Sequence, residues 1–147
     1  MVQIDTMTLA DFEQIKDVYF SDFDVFWSSH TLEQELTCDN SHLVVAKIDN
    51  EIVGFAGFKV LFDEADIMNI VVKKSLRGKG IGSLLLKNLI DLFYSFSLNA
   101  LNLEVSENNV VAIHLYEKFG FQRISVRKKY YPNNENAIIM CLKAKNN

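Results

Sequence analysis

Three of the six glycines in this 147-residue chain, Gly78, Gly80 and Gly82, fall within five consecutive residues. The apolar run ADIMNIVV before them is typical of a strand. After them comes a stripe at helical spacing, formed by Leu84, Leu85, Leu89, Leu92 and Phe93. Glycine allows a ligand to approach the main chain closely, and free N–H groups at a helix N-terminus bind anions. The segment therefore predicts a strand, a glycine loop and a long helix, with an anion site where they join.

Two common phosphate-binding patterns do not fit this loop. The P-loop pattern G-x-x-x-x-G-K-[ST] is absent, because Gly78-Lys79 is followed by Gly80 and no earlier glycine has the required spacing. The dinucleotide pattern G-x-G-x-x-G fails because Ser83 stands where its third glycine belongs. The pattern that remains is R-x-x-G-x-G, from Arg77 to Gly82. A flexible, basic lead-in to the helix stays open as the simpler interpretation of these residues.

Periodicity elsewhere predicts further helices and strands. Thr8 is a candidate N-cap for an amphipathic first element that runs to Tyr19, and a short second helix is expected over Leu32 to Leu36. Asp49 and Asn50 separate two β-rich runs and predict a hairpin. Further strands are expected at LNLEV, FQRISV and NAIIMCLK, and a helix at NNVVAIHLYEKFG. This order predicts a single domain over residues 1–147 of the α/β class, with a mixed (α+β) sheet and helices on both faces.

Charge and hydropathy argue against several classes of partner. A formal net charge of −4 argues against a nucleic-acid groove. No apolar run approaches the roughly 20 residues of a membrane span, so no membrane partner is expected. The N-terminus lacks the basic start and apolar centre of a signal peptide, which predicts a cytoplasmic protein. Neither the three histidines nor the two cysteines have the spacing of a metal site, so no metal is expected.

Two side chains after the glycine loop are candidates for proton transfer. Glu104 lies on the polar side of the alternating strand LNLEV, where a base could reach a ligand lying across the sheet. Tyr116 lies on the next helix, in line with Ala112 and Phe119, and could present its hydroxyl there. On position alone, a solvated strand glutamate and a core aromatic also explain these two residues.

The R-x-x-G-x-G loop, between its strand and its helix, resembles the pyrophosphate-binding motif of the GNAT acetyltransferase superfamily. The resemblance becomes more specific from Leu101 to Lys143. There LEV, N-x-x-A-I-x-L-Y-x-x-x-G-F, R-x-x-Y-Y-P and A-I-I-M occur in an order similar to that of the bacterial ribosomal-protein-alanine N-acetyltransferases. Together with DEADIMNIVV, the resemblance covers roughly residues 60–142. It implies the GNAT fold, a central, mostly antiparallel sheet with helices on both faces.

The same resemblance implies roles for individual residues. Glu104 would act as general base and Tyr116 as general acid, while Tyr130 and Tyr131 would lie in the loop that closes over the acceptor. Acetyl-CoA would contact the strand backbone at Ile70, Val71 and Val72, the loop residues Arg77, Gly78, Lys79, Gly80, Ile81, Gly82 and Ser83, and Asn109. The implied reaction is direct transfer of acetyl from acetyl-CoA to the α-amine of an N-terminal alanine, in a small-subunit ribosomal protein.

The N-terminal half resembles this family less closely. The segment FDVFWSSHTLEQEL is similar to the family's F-P-W-[ST] segment, but Phe26 stands where proline is usual. Because this region helps to shape the acceptor groove, the identity of the acceptor stays open. An acetyltransferase acting on small amines and a non-catalytic CoA-binding module are the alternatives. The presence of both Glu104 and Tyr116 at the family's spacing argues against the second of them.

Overall fold

The computed structural model describes residues 1–23 and 28–144. Seven strands and five α-helices lie in these ranges. In chain order they are β1 Gln3–Thr6, α1 Leu9–Ile15, α2 Tyr19–Asp22, α3 Ser29–Leu36, β2 Ser41–Ile48, β3 Glu51–Leu61, β4 Glu64–Val72, α4 Ile81–Ser95, β5 Ala100–Ser106, α5 Val110–Lys118, β6 Gln122–Arg127 and β7 Ala137–Lys143. Single 3₁₀ turns occupy Lys16–Val18 and Lys74–Leu76.

All seven strands form one sheet in the order β1-β2-β3-β4-β5-β7-β6. Every neighbouring pair is antiparallel except β4 and β5, which are parallel. Helices α4 and α5 pack against one face, and α1, α2 and α3 contribute their apolar side chains to a second cluster on the other. The predicted mixed, mostly antiparallel sheet with helices on both faces is confirmed.

The N-terminal segment differs from the prediction in two ways. The first element is the edge strand β1, whose sequence QIDT has one apolar residue, so its pairing with β2 left no local signal. The predicted first helix is interrupted by the 3₁₀ turn, because Val18 leaves helical geometry at φ −110° and ψ 11°. Leu9 and Val18, two apolar residues of this element, are exposed. Thr8 is the predicted N-cap, and its side chain accepts from the N–H of Asp11.

The predictions from Asp49 onwards agree closely with the structure. Asp49 and Asn50 both have positive φ, 50° and 68°, which makes the tight turn between β2 and β3. Helix α4 buries Leu85, Leu89 and Phe93, although Leu84 at the edge of the predicted stripe is exposed. On β5 the apolar residues face the core, as predicted, and the residues between them face outwards.

Candidate active site

The two parallel strands at the centre of the sheet separate into a cleft. Residues 64–66 of β4 pair with residues 100–102 of β5, and within the described residues no further pairing joins these strands. A cavity of about 550 Å³ lies in the space between them. It is lined by both strands, by Asn109 and Tyr116, and by the loop that connects β6 to β7. The backbone edge of β4 from Ile67 onwards therefore faces a cavity instead of a neighbouring strand.

A bulge in β4 contributes to this separation. Asn69 lies opposite Gly57 and Ile67 opposite Phe58, so Met68 is an extra residue in the strand. Asn69 is one of the residues that line the cavity, and 8% of the residue is exposed. Neither of its amide atoms has a hydrogen-bond partner in the described part of the chain. An unpaired buried amide costs about 1–3 kcal/mol, which makes Asn69 a candidate ligand contact that the sequence prediction missed. The available signal was a polar residue inside an apolar strand.

The glycine loop provides a backbone cradle at the start of α4. Gly78 and Gly80 have φ of 78° and 85°, and Gly80 is the N-cap of the helix without a capping side chain. A Cβ added at either glycine would meet no atom of the described chain within 4 Å, so the space beside them is open to a ligand. A Cβ at Gly82 would lie 3.7 Å from Val72 Cγ2, an ordinary contact. The N-terminal N–H groups of this helix of 15 residues suit an anion.

The remaining loop and strand residues of the predicted cofactor site fall into two groups. Arg77 and Lys79 are exposed beside the glycines, where cationic side chains suit a phosphate, and Ser83 is half-buried in the first turn of α4. The side chains of Ile70, Val71, Val72 and Ile81 pack into the two apolar clusters instead. These four residues can therefore offer a ligand chiefly their backbone groups.

Glu104 lies at the centre of the cleft, on the face of β5 that points away from the apolar core. Its side chain is 35% exposed, and its Oε1 lies 3.3 Å from Nη1 of Arg127 on β6. It also lines a second cavity of about 610 Å³, which adjoins the first. Glu104 thus lines both cavities.

The lining of the second cavity contains three carboxylates, those of Glu64, Asp66 and Glu104. Glu64 and Asp66 of β4 lie on one side, where the side-chain amide of Asn102 donates to both at 2.7 and 3.2 Å. The other side is formed by Ile124, Arg127, Tyr130, Tyr131 and Ile139. A cationic ligand would be attracted to this lining.

Tyr116 and Tyr131 bring two hydroxyl groups to the first cavity. Tyr116 is half-buried on α5, with its ring edge-on to Phe121 at 5.9 Å between centroids. Burial, with a smaller contribution from Tyr131, raises the pKa of Tyr116. Burial and the nearby Glu104 carboxylate raise the pKa of Tyr131. Both hydroxyls therefore keep their protons at neutral pH, as a proton donor must.

The loop from residue 128 to residue 136 is anchored to the end of β5. The Ser106 hydroxyl donates a short hydrogen bond to the Glu135 carboxylate, and Asn136 Nδ2 donates to Glu107 Oε2 at 3.1 Å. The hydrogen bonds that Glu135 accepts, that from Ser106 above all, lower its pKa. These contacts hold Tyr131 beside Glu104 and leave Tyr130 exposed, with the two tyrosine rings 5.2 Å apart. The sequence prediction missed this anchor, because its partners lie 29 residues apart.

Asn109 has a local structural role beside its predicted one. Its side-chain Oδ1 accepts from the N–H of Ala112 at 3.2 Å and so caps α5. It also lines the first cavity, so a cofactor could reach its remaining polar atoms.

The described residues His42 and His114 line neither cavity. Phe26 lies outside the described residues. His42 packs against Phe58 and Phe96, and His114 is exposed on α5. Across residues 1–23 and 28–144, no group of three or more His, Cys, Asp or Glu side chains could hold a metal ion, and no helix could span a membrane.

Comparison with known proteins identifies one family. Residues 12–121 match the model of the acetyltransferase (GNAT) family. The matched region contains the β4 edge, the glycine loop, α4, Glu104 and Tyr116, and it ends before the loop that carries Tyr130 and Tyr131.

Individual relatives are similar in sequence to almost the whole chain. The chain is 34% identical over 143 residues to the [ribosomal protein bS18]-alanine N-acetyltransferase of Haemophilus ducreyi, covering 95% of this chain and 98% of that protein. It is 36% identical over 141 residues to the corresponding enzyme of Haemophilus influenzae, covering 93% and 95%. Its fold is similar to the crystal structure of the ribosomal-protein-S18-alanine N-acetyltransferase from Escherichia coli. That comparison has a TM-score of 0.89 and 30% identity, and it covers 100% of this chain and 96% of the other.

Proposed function

We propose that this chain, which belongs to the GNAT acetyltransferase family, transfers acetyl from acetyl-CoA to the α-amine of the N-terminal alanine of ribosomal protein bS18. One observation carries the proposal. A carboxylate and a protonated phenol, Glu104 and Tyr116, line the same cleft as the open edge of β4. The relatives named for this reaction match more than nine-tenths of the chain, which supports the same acceptor. A cytoplasmic location follows from that acceptor.

The residues around the cleft fit acetyl-CoA in three respects. The glycine loop with the free N-terminus of α4 suits a pyrophosphate. The edge of β4 that faces the cavity suits a pantetheine arm, which carries amides and can pair like an added strand. Asn69, whose side-chain amide has no partner among the described residues, also lines this cavity. When bound, acetyl-CoA supplies an acetyl group activated as a thioester.

Glu104 is the proposed proton acceptor. An α-amine has a pKa of about 8, so most of it is protonated near neutral pH and cannot attack. Glu104 removes that proton, and the freed nitrogen lone pair forms the C–N bond with the acetyl carbon as the C–S bond breaks. The position of Glu104, shared by both cavities, supports this role, because an amine arriving through the second cavity meets the thioester at this carboxylate.

Tyr116 is the proposed proton donor to the departing sulfur. Its raised pKa keeps the hydroxyl protonated until it is needed. After the attack the nitrogen loses its second proton to solvent. The reaction then yields an N-acetylated peptide and the free thiol, with solvent returning a proton to Tyr116 and accepting the one that Glu104 removed. Tyr131 closes the cleft on the acceptor side, and the acidic lining of the second cavity favours a positively charged peptide.

The test incubates the protein and acetyl-CoA with a peptide that begins Ala-Arg and contains one lysine. A second peptide has a blocked N-terminus, and a panel of small amines completes the set. Mass spectrometry locates the acetyl group, and acetylation confined to the free α-amine is the expected result. Acetylation of lysine or of small amines would show that the protein is an acetyltransferase and that the proposed acceptor is wrong. If the protein binds acetyl-CoA but forms no product with any amine, the remaining interpretation is a non-catalytic CoA-binding module.

The roles of the two residues are tested with matched variants. Tyr116→Phe is expected to lower the rate about 100-fold while acetyl-CoA affinity stays the same. The substitution removes the hydroxyl that donates the proton and hardly changes the shape of the side chain. Tyr94→Phe is the control, since Tyr94 is exposed on α4 and lines neither cavity. An unchanged rate in Tyr116→Phe would reject the proton-donor role.

A further inference from the structure

The lining of the second cavity already carries a cation, the side chain of Arg127. Nη1 of Arg127 lies 3.3 Å from Oε1 of Glu104, and its guanidinium carbon lies 5.4 Å from the centroid of the Tyr130 ring. Arg127 is the one lysine or arginine among the described residues that line either cavity. The Glu104 carboxylate therefore already has a cationic partner in the second cavity.

The sheet register explains why this contact forms. Strands β5 and β6 both pair with β7, and Ile139 of β7 lies opposite Glu104 on one side and Ser125 on the other. Arg127 lies two residues beyond Ser125, so its side chain points to the same face of the sheet as Glu104. A long arginine side chain spans the distance of two strands. The sequence separation of 23 residues between the partners hides the pair from a local pattern.

We propose that Arg127 is the resident counter-ion of Glu104 and that the α-ammonium of the acceptor displaces it before reaction. This proposal rests on the proposed function and adds a specificity-determining residue to it. A cationic amine exchanges with the guanidinium, whereas a neutral group would leave the Glu104 carboxylate without a counter-ion. Because 57% of the Arg127 side chain is exposed, the pair contributes little stability and the exchange costs little.

The surroundings of Arg127 suit such an exchange. The Tyr130 ring offers the displaced guanidinium a second favourable contact, since cations are attracted to the faces of aromatic rings. Glu64 and Asp66 across the cavity keep the lining negative while the two cations exchange. On the other side of Glu104 lie the hydroxyls of Tyr131 and Tyr116, which hold no positive charge. Arg127 thus controls access to Glu104 from the acceptor side.

The direct test follows the Arg127 side chain by NMR. The enzyme is saturated with CoA, which cannot transfer acetyl, and titrated with the Ala-Arg peptide. The Arg127 Nε–Hε signal, assigned by its loss in Arg127→Lys, is expected to shift on addition of the peptide. The same peptide with an acetylated N-terminus is the control and is expected to leave the signal in place. An unmoved signal with the free peptide at saturation, or equal shifts with both peptides, would overturn the proposal.

Kinetics give a second readout that a merely structural role would not produce. Arg127→Ala is expected to lower the peptide KM several-fold with kcat little changed, because the ammonium no longer competes with a resident cation. Arg127→Lys retains a cation and is expected to stay near the wild-type KM. Arg123→Ala is the matched control, since Arg123 lies on the same strand, pairs with Glu117 at 3.6 Å and lines neither cavity. A KM that rises in Arg127→Ala would show that Arg127 binds the peptide and would overturn the proposal.

Failure of the proposed function gives a different pattern. If the free peptide binds and shifts the Arg127 signal but no acetylated product forms, the proposed function is wrong and the displacement of Arg127 still holds. A protein that acetylates the α-amine with an unmoved Arg127 signal would keep the function and reject the displacement.

Discussion

The two sides of the cleft are built in different ways. On the proposed cofactor side, the edge of β4 and the glycine loop present mainly backbone groups, and they come from one stretch of chain between Ile67 and Ser83. On the acceptor side, Glu104, Arg127 and Tyr131 present side chains that come from three separate elements. The first side depends on local backbone conformation, and the second depends on strand register. The difference predicts that substitutions on the two sides alter different measured quantities.

The largest effect is expected from Glu104→Gln, on the acceptor side. Removal of the proposed proton acceptor should lower kcat about 1,000-fold, within the usual range for a general base, while the acetyl-CoA dissociation constant stays unchanged. Steady-state kinetics and calorimetric titration measure the two quantities. Glu117→Gln, on α5 and outside both cavities, should retain wild-type activity. A loss of acetyl-CoA affinity in Glu104→Gln would mean that the two sides are not separable.

On the cofactor side, Gly80→Val should raise the acetyl-CoA dissociation constant about 100-fold. A β-branched residue is strained at the φ of 85° found here, and its side chain would occupy the open space beside the loop. Asn50→Val separates strain from blockage, because Asn50 also has positive φ but lies in the hairpin between β2 and β3. It should lower the melting temperature comparably and leave the affinity intact. Tight acetyl-CoA binding by a folded Gly80→Val protein would contradict the proposed backbone cradle.

A smaller effect is expected from loosening the acceptor loop. Glu135→Ala removes the hydrogen bond from Ser106, so Tyr131 should be held less firmly and the peptide KM should rise about 10-fold. Acetyl-CoA affinity should not change. The control is Lys128→Ala, at an exposed position in the same connection that lines neither cavity. Equal KM values for the Glu135→Ala and wild-type proteins would show that the anchor does not organise the acceptor side.

The smallest expected effect concerns Tyr116 and the dependence of kcat on pH. Burial raises the pKa of Tyr116 above its ordinary value of 10.0, so the proton donor keeps its proton in alkaline solution. The profile of kcat against pH should therefore show no decline caused by Tyr116 below pH 10.0. Such a decline at lower pH, absent from the residual activity of Tyr116→Phe, would mean that the Tyr116 pKa is lowered and not raised.

The same contrast explains how much of the protein could be predicted from its sequence. The glycine loop, the α4 helix and the outward side of β5 follow from neighbouring residues and a single period, and each was predicted. The edge strand β1 is set by its pairing with the distant strand β2, and the helical spacing up to Tyr19 did not reveal the 3₁₀ turn at Lys16–Val18. The Arg127–Glu104 and Ser106–Glu135 pairs depend on how β5, β6 and β7 align, which no local pattern encodes.

The central claim is that both sides serve one reaction at Glu104, and binding of a covalent conjugate tests it most directly. In this conjugate the sulfur of CoA is joined through an acetyl bridge to the α-nitrogen of the Ala-Arg peptide. If the two sides meet in one cleft, calorimetric titration should show that the conjugate binds at least 100-fold more tightly than CoA or the peptide alone, because one half holds the other at high effective concentration. An affinity no greater than that of CoA would show that the peptide half finds no site beside the cofactor, and it would contradict the account.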